Sequence, residues 1–176
     1  MKHNLLVTGV AALIPLLVGF VWYGPFLFRN AWMAATGVTM DEKPNSSKMI
    51  MNMVLLYIFS FFVANGLMPV VIHQLGLFSM LADDHSREML KDPNSDLYKL
   101  VSNLWAGHGH MFRRYRHGAF HGALTAIFFA LPLISTSAIF EKRSVKYVLI
   151  TWGFWLVNFM LMGALICHWA YVDWPK

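Results

Sequence analysis

The sequence predicts an all-α integral membrane protein: a bundle of four transmembrane helices, with an amphipathic interfacial helix between spans two and three. Three observations carry that prediction. Of the 176 residues, 57% are hydrophobic and only 13% charged, where an ordinary soluble domain carries roughly 25% charged residues. Four apolar stretches, at about residues 4–28, 49–75, 117–140 and 147–169, contain no Asp, Glu, Lys or Arg. Each is long enough to cross a hydrocarbon core of ~30 Å. The basic residues behind the net charge of +5 sit between these stretches rather than along one solvated face. That is the pattern of membrane loops, and it speaks against a nucleic-acid partner. The implied partner is the lipid bilayer, and a chain whose segments are all needed for one bundle is a single domain, residues 1–176.

Span one opens with Met1-Lys2-His3 and superficially resembles a signal peptide. Its apolar run continues into Trp22, Tyr23 and Pro25 with no small-x-small cleavage site, so it reads as an uncleaved span. Pro15 at its middle should bend the helix or free a carbonyl. Trp22, Tyr23, Phe26, Phe28 and Trp32 mark a membrane–water boundary, where amphipathic rings settle. In the connection that follows, RNAWMAATG reads as an interfacial helical turn and Asp41-Glu42-Lys43-Pro44-Asn45 as a polar turn.

Span two carries Ser60 and Ala64 on a short small-residue face and ends near Pro69. Its Asn52 and Asn65, like Asn158 in span four, are expected to bond between helices. Residues 76–116 form the one sizeable extramembrane segment. After Pro93, Asn94-Ser95 offers an N-cap. Leu97, Leu100, Val101, Leu104 and Trp105 then follow the i, i+3, i+4, i+7, i+8 pattern of an amphipathic helix. Gly107 and Gly109 interrupt it before Arg113, Arg114 and Arg116 lead into span three.

Span three, HGAFHGALTAIFFALPLISTSAIF, organises the rest. Gly118, Gly122, Ala126 and Ala130 recur every fourth residue, so an α-helix puts them on one face where another backbone can approach. A tight connection, Glu141 to Lys146, returns the chain to span four, which carries Gly153 and Gly163. Trp152 and Trp155 mark one boundary of that span, and Trp169, Tyr171 and Trp174 the other. The single Cys167 excludes an intrachain disulfide and reads as a small packing residue.

Trp22-Tyr23-Gly24-Pro25 with Phe28 and Trp32, and the block from His117-Gly118 through Phe140-Glu141-Lys142-Arg143 to Met162-Gly163, resemble a small bacterial and fungal membrane-protein family. That family is known as domain of unknown function 1761. The likeness covers spans one, three and four well and residues 76–116 poorly. It implies a compact four-helix membrane protein and brings no activity or functional residues with it.

No catalytic signature stands out, so an enzyme is not the favoured reading. Uncharged spans argue against the usual proton- or ion-coupled carrier, which needs an ionisable group inside the membrane. Ser135, Thr136 and Ser137 have no nearby His or acid to make a hydrolase, and Met49, Met51 and Met53 scatter around a helix. The histidines are more informative. If the spans alternate up and down, His3, His73, His85, His108, His110, His117, His121 and His168 all fall on one membrane face. His117 and His121 present their rings one helical turn apart, a spacing that suits a shared metal ion, with His108 or His110 as a further ligand. The plain alternative is that this face owns the only long polar segment, and no carboxylate stands at helical spacing for a di-iron site.

The sequence by itself therefore favours an accessory or assembly subunit, multi-pass in the cell membrane (the inner membrane, for a bacterial chain). A His-ligated metal or haem redox protein comes second, and an oligomeric conduit for a small neutral solute third. It names no cofactor. A partner would be a second copy or a membrane complex. Lys2, Arg87, Lys91, Lys99, Arg113, Arg114, Arg116 and Lys176 on the face bearing the termini outnumber Arg29, Lys43, Lys48, Lys142, Arg143 and Lys146 on the other. That excess favours cytoplasmic termini.

Overall fold

The computed structural model describes residues 5–39 and 45–170; among them it contains helices and connecting turns and no strand. Span one is two helices end to end, α1 (Leu5–Ala11) and α2 (Ile14–Trp22). Pro15 has no N–H to offer the Ala11 carbonyl. It lies in the first turn of α2, where proline is tolerated, and the helix breaks at Ala12 and Leu13 just before it. The span stops at Trp22 rather than Phe28, because Gly24 and Pro25 turn the chain and the Phe28 N–H returns to the Trp22 carbonyl at 3.0 Å. Then α3 (Arg29–Thr36) ends at Gly37, whose φ of 73° is the left-handed conformation glycine adopts freely.

Span two is α4 (Ser46–Val71). It starts ahead of Met49 because the Asn45 side chain caps it, accepting from the Ser47 and Lys48 N–H groups at 3.0 and 3.3 Å. It stops short of Leu75, since Ile72 leaves the helix in an extended conformation. The segment beyond holds α5 (Gln74–Met80), α6 (Asp84–Met89) and α7 (Asp96–His108). Ser95 caps α7 by accepting from the Tyr98 N–H at 3.1 Å. On α7, Val101 is buried and Trp105 packs on Phe78 at 5.3 Å, while Leu100 and Leu104 stay exposed as a face for lipid.

Span three runs through α8 (Tyr115–Thr125), a π-helical turn (Ala126–Ala130) and α9 (Leu131–Phe140). Pro132 cannot complete an α-helical bond to Phe128. In the turn before it the Leu131 N–H reaches the Ala126 carbonyl, and the Trp152 indole donates to the same oxygen at 3.0 Å. The extra residue of this turn rotates everything after it. Gly118, Gly122 and Ala126 are buried on one face, whereas Ala130 is turned partly outward. Span four is α10 (Val145–Trp169), capped by Ser144, which accepts from the Tyr147 N–H at 3.3 Å.

Spans three and four meet backbone to backbone. A Cβ on Gly118 would collide with the Gly163 carbonyl, and one on Gly122 with the Phe159 carbonyl. Glycine is required at these positions by the close approach, not by any special backbone angle. Asn65 and Asn158 turn back on their own helices instead of bonding between them, donating to the Phe61 and Phe154 carbonyls at 2.7 Å each. The buried core cluster, with Val71, Ile72, Met162, Ile166 and Cys167, lies toward the end of the bundle where span two stops and span three starts. At the other end the Trp22 indole donates to the Ile150 carbonyl at 3.1 Å, and the Tyr23 ring packs at a tilt against Phe154, centroids 5.2 Å apart. These are four helices long and apolar enough to cross a membrane, in an all-helical bundle. Lys48, Arg116 and Lys146 fall within the helices, but only in their first turns. His3, the turn at 41–44, Tyr171 and Trp174 lie outside the described residues.

Candidate metal centre

Where α4 ends, Ile72 is fully buried and fixes the chain as it leaves the membrane. His73 comes next, as the N-cap residue of α5. Its neighbour Gln74 reaches across to the turn before span three, donating through Nε2 to the Gly109 and Met111 carbonyls at 3.0 and 2.8 Å. That turn is held from its other side by span four. The Cys167 thiol donates to the Phe112 carbonyl at 3.3 Å, and the Arg113 guanidinium donates to the Ala170 carbonyl. Phe112 itself has a φ of 62°, an uncommon conformation for a residue with a side chain, held in place by these contacts. Burial lowers the Arg113 guanidinium from its ordinary value, and the carbonyl at the end of α10 supplies its partner.

This bracing brings three imidazoles together. His117 and His121 stand one turn apart on α8, with ring centroids separated by 4.4 Å. His73 packs against both, at 4.9 Å from His117 and 4.7 Å from His121. The Nε2 atoms of His73 and His117 are 3.0 Å apart, a distance at which one nitrogen donates and the other accepts. One potential ligand atom from each of the three rings lies within 4.8 Å of the others. A tetrahedral ion with metal–nitrogen bonds of about 2.0 Å holds its donors roughly 3.3 Å apart, so small rotations of the rings would close on one. His73 is exposed and the other two are half-buried, so a solvent-side position stays open.

His108 and His110 are exposed and stand outside this group. His108 shares a cavity of about 260 Å³ with His73, and His110 shares one of about 590 Å³ with His117. His85 is exposed on α6, and His168 stacks on Tyr115 at 3.9 Å. Spacing along the chain points to the local pair His117 and His121 and is blind to His73, which reaches them through the packing of span two on span three. The one available signal is its position, directly after an apolar span, on the face where the other histidines gather.

Compared with known proteins, residues 6–167 match a family model described as "Protein of unknown function (DUF1761)". No curated protein matches the chain, and neither does any solved structure.

Proposed function

The chain belongs to the DUF1761 family, whose description assigns no activity, and from that premise we propose that it is a membrane protein that holds one transition-metal ion at its surface through His73, His117 and His121. The observation that carries the reading is the convergence of three imidazoles from two spans, their ligand atoms within 4.8 Å of one another. Imidazole suits zinc, copper, nickel and iron, and a three-histidine set leaves a position free for water or substrate. A bis-histidine haem fits less well: its two imidazoles need an open slot of porphyrin width between them, and 3.0 Å between the His73 and His117 nitrogens leaves none. The cell membrane is the proposed location. The accessory-subunit and solute-conduit readings have no comparable geometric support.

The test is metal analysis of the full chain purified through a tag that contains no histidine, followed by titration with Co²⁺ and its visible absorption. The expected result is one ion per chain in the wild type, lost in His73→Ala, His117→Ala and His121→Ala and kept in His108→Ala and His110→Ala. Substoichiometric binding in the wild type, or full binding in His73→Ala, overturns the proposal.

A further inference from the structure

Beside the trio, sharing Phe112 with the smaller cavity, lies the opening of about 590 Å³ walled by His110, Phe112, Arg114, Arg116, His117 and Phe120. Its volume is in the range of sites for small organic ligands. Its charge is what singles it out. No Asp or Glu occurs between Asp96 and Glu141. Among the described residues Arg87 pairs with Asp84 at 3.5 Å, Lys91 with Glu88 at 2.6 Å and Arg143 with Glu141 at 3.3 Å, while neither Arg114 nor Arg116 has a carboxylate partner. Arg113, next to them in sequence, is engaged by the Ala170 carbonyl and does not join them. Among the described residues, two guanidinium groups thus line one cavity with no carboxylate paired to either, a setting that suits an anionic ligand.

The position of the cavity says which kind. Arg114 is the N-cap residue of α8 and Arg116 lies in its first turn, at the level where the chain enters the membrane. Phe120 is exposed and lies four residues further along the helix, about 6 Å deeper at 1.5 Å per residue. Polar recognition at headgroup level with an aromatic ring below it matches an amphiphile, and guanidinium groups match phosphate oxygens in pairs. We propose that Arg114 and Arg116 bind the phosphate of an anionic amphiphile, whose apolar part lies along Phe120. The proposal goes beyond metal binding and does not require it, although His117 borders both sites.

The same phosphate chemistry could come from a lipid or from free phosphate, and the experiment separates them. The full chain in detergent is mixed with phosphatidylglycerol, with phosphatidylcholine, or with inorganic phosphate, and bound ligand is read by native mass spectrometry. The wild type is expected to retain phosphatidylglycerol over phosphatidylcholine by at least about tenfold, the value of one charge-assisted hydrogen bond. Arg114→Gln/Arg116→Gln should abolish that preference, while Arg143→Gln, in the connection before span four, and His73→Ala should keep it. Should the double variant fail to fold, Arg116→Gln alone is read, with a reduction of at least threefold expected. Retention that millimolar inorganic phosphate does not displace identifies the lipid. Retention of inorganic phosphate in the wild type, lost in the arginine variant, identifies the free anion. The proposal is overturned if the wild type binds neither, or if the arginine variants bind as the wild type does. Loss of metal in His73→Ala with the lipid preference intact shows that the two sites stand or fall independently.

Discussion

The Nε2 atom of His73, at the end of span two, lies 3.0 Å from the Nε2 atom of His117, at the start of span three, across 44 residues of chain. The segment between them, from α5 to the turn at Phe112, folds back on itself where these two atoms meet. Gln74 ties one end of that segment to the other, and Arg113 and Cys167 fasten it to span four. The geometry of the candidate centre therefore depends on residues that would never touch an ion.

Gln74→Ala should expose that dependence. Losing two hydrogen bonds to the Gly109 and Met111 carbonyls frees the turn that positions His117. Metal affinity is expected to fall by about tenfold, in line with the effect of supporting groups around metal ligands. Melting of the four spans in detergent should change little. Co²⁺ titration and thermal unfolding, run in parallel, check both halves. Unchanged affinity would show that the turn holds its shape without Gln74.

Gly122→Leu should disrupt the bundle, because its side chain would start against the Phe159 carbonyl, and backbone cannot yield as a flexible side chain can. Gly122→Ala is expected to destabilise by about 1–3 kcal/mol, the usual cost of overpacking. Ile127→Leu, on a residue already 40% exposed, should be nearly silent. Thermal unfolding in detergent ranks the three, and equal midpoints would mean that spans three and four are not in contact there.

Trp152→Phe removes one of the two donors to the Ala126 carbonyl in the π-helical turn, leaving the Leu131 N–H, while keeping most of the ring's packing. The expected loss is about 1 kcal/mol, the ordinary worth of such a bond. Infrared spectroscopy with ¹³C at Ala126 should show its carbonyl shift to higher frequency. No shift would mean that the indole does not reach it.

The four-span arrangement predicts that residues 94 and 146 lie on opposite sides of the membrane. Both Asn94 and Lys146 are exposed, and neither caps a helix through its side chain, so cysteines there should leave the fold intact. The background is Cys167→Ser, whose hydroxyl can still donate to the Phe112 carbonyl. Labelling by a membrane-impermeant maleimide should reach only one of the two in intact cells. Labelling of both from one side would refute the arrangement.

Asp83 provides a pH-dependent prediction away from the membrane. It caps α6, accepting from the Ser86 N–H at 2.9 Å, and hydrogen bonds from Ser86 hold its carboxyl below the usual carboxylate range. A group whose folded value is lowered stabilises the fold above its unfolded value and loses that contribution as pH falls through the folded one. Asp83→Ala should therefore speed hydrogen exchange at the Ser86 amide severalfold at neutral pH. The difference from wild type should vanish in strong acid. A difference that persists there would assign the cap to something other than the carboxylate.

Much of this architecture is legible in the sequence because its causes are local. Uncharged apolar length reveals the spans, Ser95 announces the start of α7, and Pro15 announces the break in span one, whereas Asn45 and Ser144, read only as connection residues, prove to cap α4 and α10. What escapes is whatever depends on how one span meets another. The alternation of small residues runs to Ala130 on paper, but the π-helical turn before Pro132 ends the shared face at Ala126. Hydropathy does not show which carbonyl a Trp152 indole will reach, nor that Asn65 and Asn158 will donate back within their own helices. His73 is the costliest of these blind spots, since it differs from any interfacial histidine only in the company that packing gives it.

The glycine contact between spans three and four also has a mechanical meaning. With Gly118 against Gly163 and Gly122 against Phe159, those two spans pack backbone to backbone, as one slab. His117 and His121 ride on that slab, whereas His73 is carried by span two. An ion shared by the three would act as a clasp across the seam between two bodies, drawing span two against the slab when bound and releasing it when removed. Occupancy would then be read out as the stiffness of the seam, with the slab on one side of it unchanged.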